Sequence, residues 1–191
     1  MDKNEVLEIF KKTGVMLSGH FLLTSGKHSE RYMQCAKLFE DPAVSEKFCK
    51  EIATAFEKEG IDLVVGPALG GVIMAFDVAR LMNVRNIFAE RENGAMTLRR
   101  GFTIPKDARV LVVEDVITTG GSVQEVIGLV KEAGALVCGV AVIVDRSAGK
   151  ADFGCKLYSC IQMDIAAYEP DQCPVCASGL PLVKPGSRKP V

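Results

Sequence analysis

Two adjacent carboxylates, Glu114 and Asp115, stand directly before the run Val116-Ile117-Thr118-Thr119-Gly120-Gly121-Ser122. Ahead of them Val110, Leu111, Val112 and Val113 make an apolar, β-branched stretch suited to a buried strand. Behind them Val123, Val126, Ile127 and Val130 recur at helical spacing. The order is strand, acid pair, hydroxyl-and-glycine loop, helix. Glycines let backbone N–H groups turn inward, and a new helix offers free N–H groups and the positive end of its dipole, so the loop suits a phosphate. The Thr and Ser hydroxyls add donors. Carboxylates at the strand end can accept hydrogen bonds from sugar hydroxyls, and a phosphate beside a vicinal diol is a ribose 5-phosphate. No Lys follows the glycines, which excludes the P-loop, and the third glycine of a dinucleotide fingerprint is missing.

Other elements must position that stretch. Ile61 to Val65 reads as a strand leading into Gly66-Pro67-Ala68-Leu69-Gly70-Gly71, with a helix from Val72 to about Leu81. This is a second strand–glycine turn–helix unit and a second possible anion cradle. Arg91, Arg99, Arg100, Lys106 and Arg109 crowd the span before the acid pair, where an anionic ligand would want them. Asn86 to Glu90 reads as a strand and Arg91 to Ile104 as a polar loop or hairpin. Lys3 to Thr13 is amphipathic and helical, and Ala43 to Glu59, after Pro42, is a helix closed by Gly60. Ala135 to Val144 and Leu157 to Ile161 are further strands, while Gly19 to Phe39 alternates turn residues with short β-like pieces.

A chain of 191 residues with 48% hydrophobic and 25% charged residues can bury one sizeable core. A net charge of -1 argues against a general nucleic-acid footprint. The charged start, Met1-Asp2-Lys3-Asn4-Glu5, lacks the apolar run of a signal peptide, and no stretch reaches membrane-helix length. Seven cysteines are expected to be reduced thiols in the cytoplasm. The Pro- and Gly-rich tail holds Cys173-Pro174-Val175-Cys176. Cys155 and Cys160 would complete four thiols for zinc, but their spacing is irregular, and thiols that pin an extended tail are the favoured reading.

The run Val110 to Ser122, with Arg109 ahead of it, resembles the 5-phosphoribosyl 1-diphosphate (PRPP) motif of type I phosphoribosyltransferases. The resemblance extends over nearly the whole chain. Phe21, Leu23, Ser25-Gly26 and Ser29 resemble the hood pattern of the orotate enzymes in that family, and the tail with its Val183 to Arg188 run resembles the end of one subclass. It implies an α/β fold: a mostly parallel central sheet flanked by helices, its core at about 42–165, with a small hood from 14–40 and the tail, in one domain spanning 1–191. The implied activity is Mg²⁺-dependent transfer of phosphoribosyl from PRPP to orotate, in pyrimidine biosynthesis. Alternatives are a purine-type phosphoribosyltransferase, or a PRPP-binding regulator without turnover.

Residue roles implied by the resemblance are these. Glu114 and Asp115 hold the ribose hydroxyls, and Val116 to Ser122 wrap the 5′-phosphate. Leu69, Gly70 and Gly71 meet the diphosphate through backbone amides. Thr24, Tyr32, Met33, Thr118 and Arg146 meet orotate, with Arg146 pairing the carboxylate as a bidentate fork. Arg91, Arg99 and Arg100 lie in the mobile catalytic loop, shared across a homodimer, and a general-acid His in that loop is excluded. Mg²⁺ is held mainly by PRPP, with Asp115 reaching it through water and no direct protein ligand.

Overall fold

The computed structural model describes residues 1–23 and 25–185. A six-stranded sheet has the spatial order β5-β4-β3-β6-β7-β8. Its strands are β3 (Leu63–Pro67), β4 (Arg85–Glu92), β5 (Ala95–Thr97), β6 (Arg109–Ile117), β7 (Leu136–Asp145) and β8 (Leu157–Gln162). All neighbours are parallel except β5, which folds back antiparallel on β4. The preceding hairpin, β1 (Met16–Leu22) and β2 (His28–Met33), stands apart as a two-stranded sheet.

The strands alternate between two hydrophobic layers, as a sheet covered on both faces requires. Val64, Leu111, Val113, Ala141 and Ile143 face one layer, which also takes Val6 and Phe10 of α1 (Lys3–Thr13). Phe48 and Ile52 of α2 (Pro42–Ala55) and Met74 and Val78 of α3 (Gly70–Met82) complete that layer. Leu63, Val65, Val110, Val112, Val140 and Val142 face the other layer, built by Val123, Val126, Ile127 and Val130 of α4 (Gly121–Glu132). Leu111 is fully buried at the centre of β6. Its truncation to Ala would cost about 2–5 kcal/mol. No helix of the described residues is long and apolar enough to cross a membrane.

Two boundaries differ from the sequence expectation. The second helix ends at Ala55 rather than Glu59: Phe56 is the cap, and its ring is fully buried. The strand expected at Asn86 to Glu90 runs on to Glu92 and turns into β5, so the polar segment after it begins as an ordered hairpin.

The order of the strands decides where a ligand can sit. From β3 the chain crosses through α3 to β4 on one side, and from β6 it crosses through α4 to β7 on the other. The two loops therefore separate at the carboxyl ends of β3 and β6, leaving the crevice that α/β folds use for binding.

Candidate active site

At the end of β6, Glu114, Asp115 and Val116 are half-buried and Ile117 is buried, whereas Thr118 and Thr119 are exposed. Gly120 caps α4 with φ 76°, and the Phe153 ring lies 2.7 Å from where a Cβ would stand. Only glycine meets both demands. Gly121 and Ser122 open the helix, where the first N–H groups have no intrahelical acceptor. An exposed hydroxyl pair, an unpaired helix start and a half-buried acid pair thus share one strand end.

The loop after β3 closes against the same point. A Cβ on Gly70 would lie 2.4 Å from Asp115 Oδ2, so the glycine is what lets the loop approach that carboxylate. Leu69 is exposed, Gly71 is buried, and the Ala68–Leu69 peptide is cis. Asp115 has its proton affinity raised, chiefly by burial; the Glu114 side chain and the Val116 N–H, at 2.8 Å from Oδ1, pull the other way. A carboxylate held short of compensation in this way favours a hydroxyl-rich or cationic ligand.

Arg146 follows β7, and its N–H donates to Ile117 O at 2.9 Å, which ties it to the end of β6. Burial disfavours its charge, and Cys35 and Tyr32 are the neighbours that act in the opposite sense. Its Nε is buried with no hydrogen-bond partner. The Asp145–Arg146 surface pair is not what forms: Asp145 is buried and accepts from Ser147 N–H at 2.7 Å. Tyr32, on β2 of the hairpin, has its hydroxyl proton affinity raised by burial and lowered in part by Arg146. Asp115 acts on the same phenol, so hood, acid pair and arginine share one electrostatic neighbourhood. Met33 is buried in the core beneath it. Thr24 lies outside the described residues.

The three hairpin arginines are placed differently. Arg91 forms a two-pronged pair with Glu125 of α4, at 2.5 and 3.0 Å, and donates to Gly94 O at 2.7 Å. Arg99 pairs with Glu90 and Glu92, and Arg100 with Glu90, all within 3.2 Å. All three are exposed. Their ion pairs run to glutamates of β4 and α4.

Two features escaped the sequence reading. Cys35 joins the Asp115–Arg146 neighbourhood, but burial pushes its thiol well up, which leaves it inert. The thiol set is also corrected. Cys173 and Cys176 converge with His20 and His28, not with Cys155 and Cys160. The C-x2-C spacing was a usable signal; its histidine partners, some 150 residues upstream, were not.

Residues 39–175 match the phosphoribosyl transferase domain model. The chain belongs to the phosphoribosyl transferase family. It is 58% identical over 189 residues to the orotate phosphoribosyltransferase of Caldanaerobacter subterraneus subsp. tengcongensis, covering 99% of this chain and 100% of that one. It is 53% identical to the orotate phosphoribosyltransferase of Thermotoga maritima, over 96% of this chain and 98% of the relative. Among solved structures, orotate phosphoribosyltransferase from Aeropyrum pernix superposes with a TM-score of 0.72 at 27% identity, covering 83% of this chain and 93% of that chain. An adenine phosphoribosyltransferase from Thermoanaerobacter pseudethanolicus, at 17% identity, covers 70% of this chain and 88% of that chain with a TM-score of 0.62, which speaks for a shared fold. The expected mostly parallel sheet flanked by helices is thus that of the family.

Proposed function

We propose that the chain is an orotate phosphoribosyltransferase that makes orotidine 5′-monophosphate and diphosphate from orotate and PRPP, in pyrimidine biosynthesis. The observation that carries the choice of base is Arg146. A half-buried guanidinium with a buried, unpartnered Nε, beside Tyr32 and tied to the end of β6, suits a planar carboxylate. Adenine and hypoxanthine have no carboxylate to offer.

The remaining roles follow from placement. Glu114 and Asp115 orient the ribose hydroxyls, while the backbone from Val116 to Gly121 and the hydroxyls of Thr118, Thr119 and Ser122 receive the 5′-phosphate. Amides of Leu69, Gly70 and Gly71 face the diphosphate. Orotate N1 attacks ribose C1 as the C1–O bond to diphosphate breaks, so the protein contributes mainly alignment and charge stabilisation. The half-buried Asp115 carboxylate is the group that would hold Mg²⁺, through water, were PRPP bound. When bound, Mg²⁺ offsets the charge of the leaving diphosphate. Tyr32, Met33 and Thr118 border the base.

Arg91, Arg99 and Arg100 serve the leaving group of a second copy's site, once released from Glu90, Glu92 and Glu125. Exposed Ile73 and Phe76 on α3, with exposed Leu69 at its N-terminal cap, support a homodimer. Seven free cysteines agree with a cytoplasmic setting.

The test is turnover with PRPP and Mg²⁺, offering orotate, uracil, adenine, hypoxanthine and xanthine in parallel. Product from orotate alone is expected. Use of a purine instead, with orotate untouched, would sink the assignment of Arg146.

A further inference from the structure

Four ligating atoms meet beneath the hood: His20 Nε2, His28 Nδ1, Cys173 Sγ and Cys176 Sγ all lie within 4.8 Å of one another. His20, His28 and Cys173 are buried, while Cys176 stands at the surface. The two imidazole nitrogens are 3.0 Å apart. His20 Nε2 is 3.6 Å from each sulfur, and His28 Nδ1 is 3.3 Å from Cys176 Sγ. A tetrahedral zinc with Zn–N near 2.0–2.1 Å and Zn–S near 2.3 Å puts N···N at about 3.3 Å and N···S at about 3.6 Å. These four spacings agree to within a few tenths of an ångström, and the other two, from His28 to Cys173 and between the sulfurs, are no longer than 4.8 Å.

The protons point the same way. His20 Nδ1 lies 2.9 Å from Leu180 O, and a carbonyl can only accept, so Nδ1 carries the hydrogen and Nε2 presents its lone pair inward. This is the outer contact that metal-bound histidines use to fix their tautomer. A simple hydrogen bond from His28 would satisfy one lone pair of His20, yet it leaves the two sulfurs only weak thiol hydrogen bonds, such as that from Cys176 to Pro170 O at 3.8 Å.

We propose that His20, His28, Cys173 and Cys176 bind one Zn²⁺ in a closed structural site. Four protein ligands leave no position for substrate, so the ion takes no part in the transfer reaction. Both thiols give up their protons to the solvent on binding, and the zinc–thiolate bonds form in their place. The site joins the two ends of the chain. Two ligands come from the β1–β2 hairpin that carries Tyr32, and two from the tail that runs beside it through the Phe21–Val183 and His28–Tyr168 bridges. Zinc would therefore hold the base-recognising hood shut on its tail. The inference stands independently of which base is used.

The test is metal content, read by mass spectrometry on full-length protein purified without chelator, and again after stripping and reconstitution with Zn²⁺ or Co²⁺. About one zinc per chain is expected, with a Co²⁺ form showing the intense visible absorption of a tetrahedral thiolate site. Cys176→Ser and His28→Ala should lose the ion, whereas Cys155→Ser, a thiol outside the group, should keep it. Stripping should lower the melting temperature and added Zn²⁺ should restore it. Folded wild-type protein that neither retains nor takes up zinc would overturn the proposal. So would loss of zinc in Cys155→Ser equal to that in Cys176→Ser, or a Cys173–Cys176 disulfide in freshly purified protein. None of these readouts depends on turnover.

Discussion

The arginine after β7 and the three arginines in and just after the β4–β5 hairpin are the same side chain under opposite conditions. Arg146 is half-buried with an unpartnered Nε, whereas Arg91, Arg99 and Arg100 are exposed and each held by one or two glutamates. A buried donor without an acceptor is costly, and it persists where a ligand later supplies one. An exposed ion pair costs little to form or to break, at about 0–1 kcal/mol. The first arrangement is that of a fixed reader; the second is that of a group free to be redeployed.

The largest effect that would test this contrast is expected from Arg146→Ala. Two charge-assisted hydrogen bonds at about 1.5–3 kcal/mol each imply a fall in kcat/KM for orotate on the order of a hundredfold to ten-thousandfold. The KM for PRPP should stay close to wild type, and steady-state kinetics would show it; equal losses for both substrates would end the assignment. Arg146→Lys should recover only part, because a point charge cannot reproduce the fork.

Next in size is the double variant Arg99→Ala/Arg100→Ala, which should lower kcat by roughly tenfold or more, since even one lost charged contact is worth about a factor of ten. Mixing it with Asp115→Asn chains should restore activity if the hairpin serves the other subunit. No recovery in mixed dimers would confine the arginines to their own chain or to the surface.

Asp115→Asn alone sets function against stability. Because burial raises the folded carboxyl above its unfolded value, ionisation opposes folding. The gain in melting temperature of the unliganded Asn variant should be absent in acid, grow as pH rises through about 4, and level off above the folded value. Thermal melts across that range check the sign, and a constant offset at all pH values would contradict it. The smallest effect belongs to Glu125→Gln, which loosens Arg91 and should cost no more than about 1 kcal/mol of stability, measured by urea unfolding.

What could be read in advance follows the same division between local and distant. The acid pair, its loop and α4 are contiguous, so one stretch carries strand, turn and helix signals together, whereas Arg146 is singled out only through the family resemblance. The end of α2 was missed because it is set across the sheet: the Phe56 ring occupies the space beside Gly139, where a Cβ would lie 2.4 Å from it. No helical periodicity reports on a glycine eighty residues away. The glutamates that hold the hairpin arginines were likewise invisible, since Glu125 reaches Arg91 across 34 positions of sequence. The histidine–cysteine group is the extreme case, formed only when the tail returns along the hairpin.

That return has a consequence for how the molecule is made. The Leu22 and His28 amides bond to Val183 and Tyr168, and the His20 ring reaches Leu180, 160 residues further on. Contacts of such span are slow to close in folding, and on a ribosome they cannot close at all until Tyr168, Leu180 and Val183 have emerged. The central sheet and the loop after β6 can therefore mature on a chain still being synthesised, while the β1–β2 hairpin gains its tail last. Pulsed hydrogen exchange during refolding should find the His28 amide protected after those of β6; protection in the reverse order would refute this sequence of events.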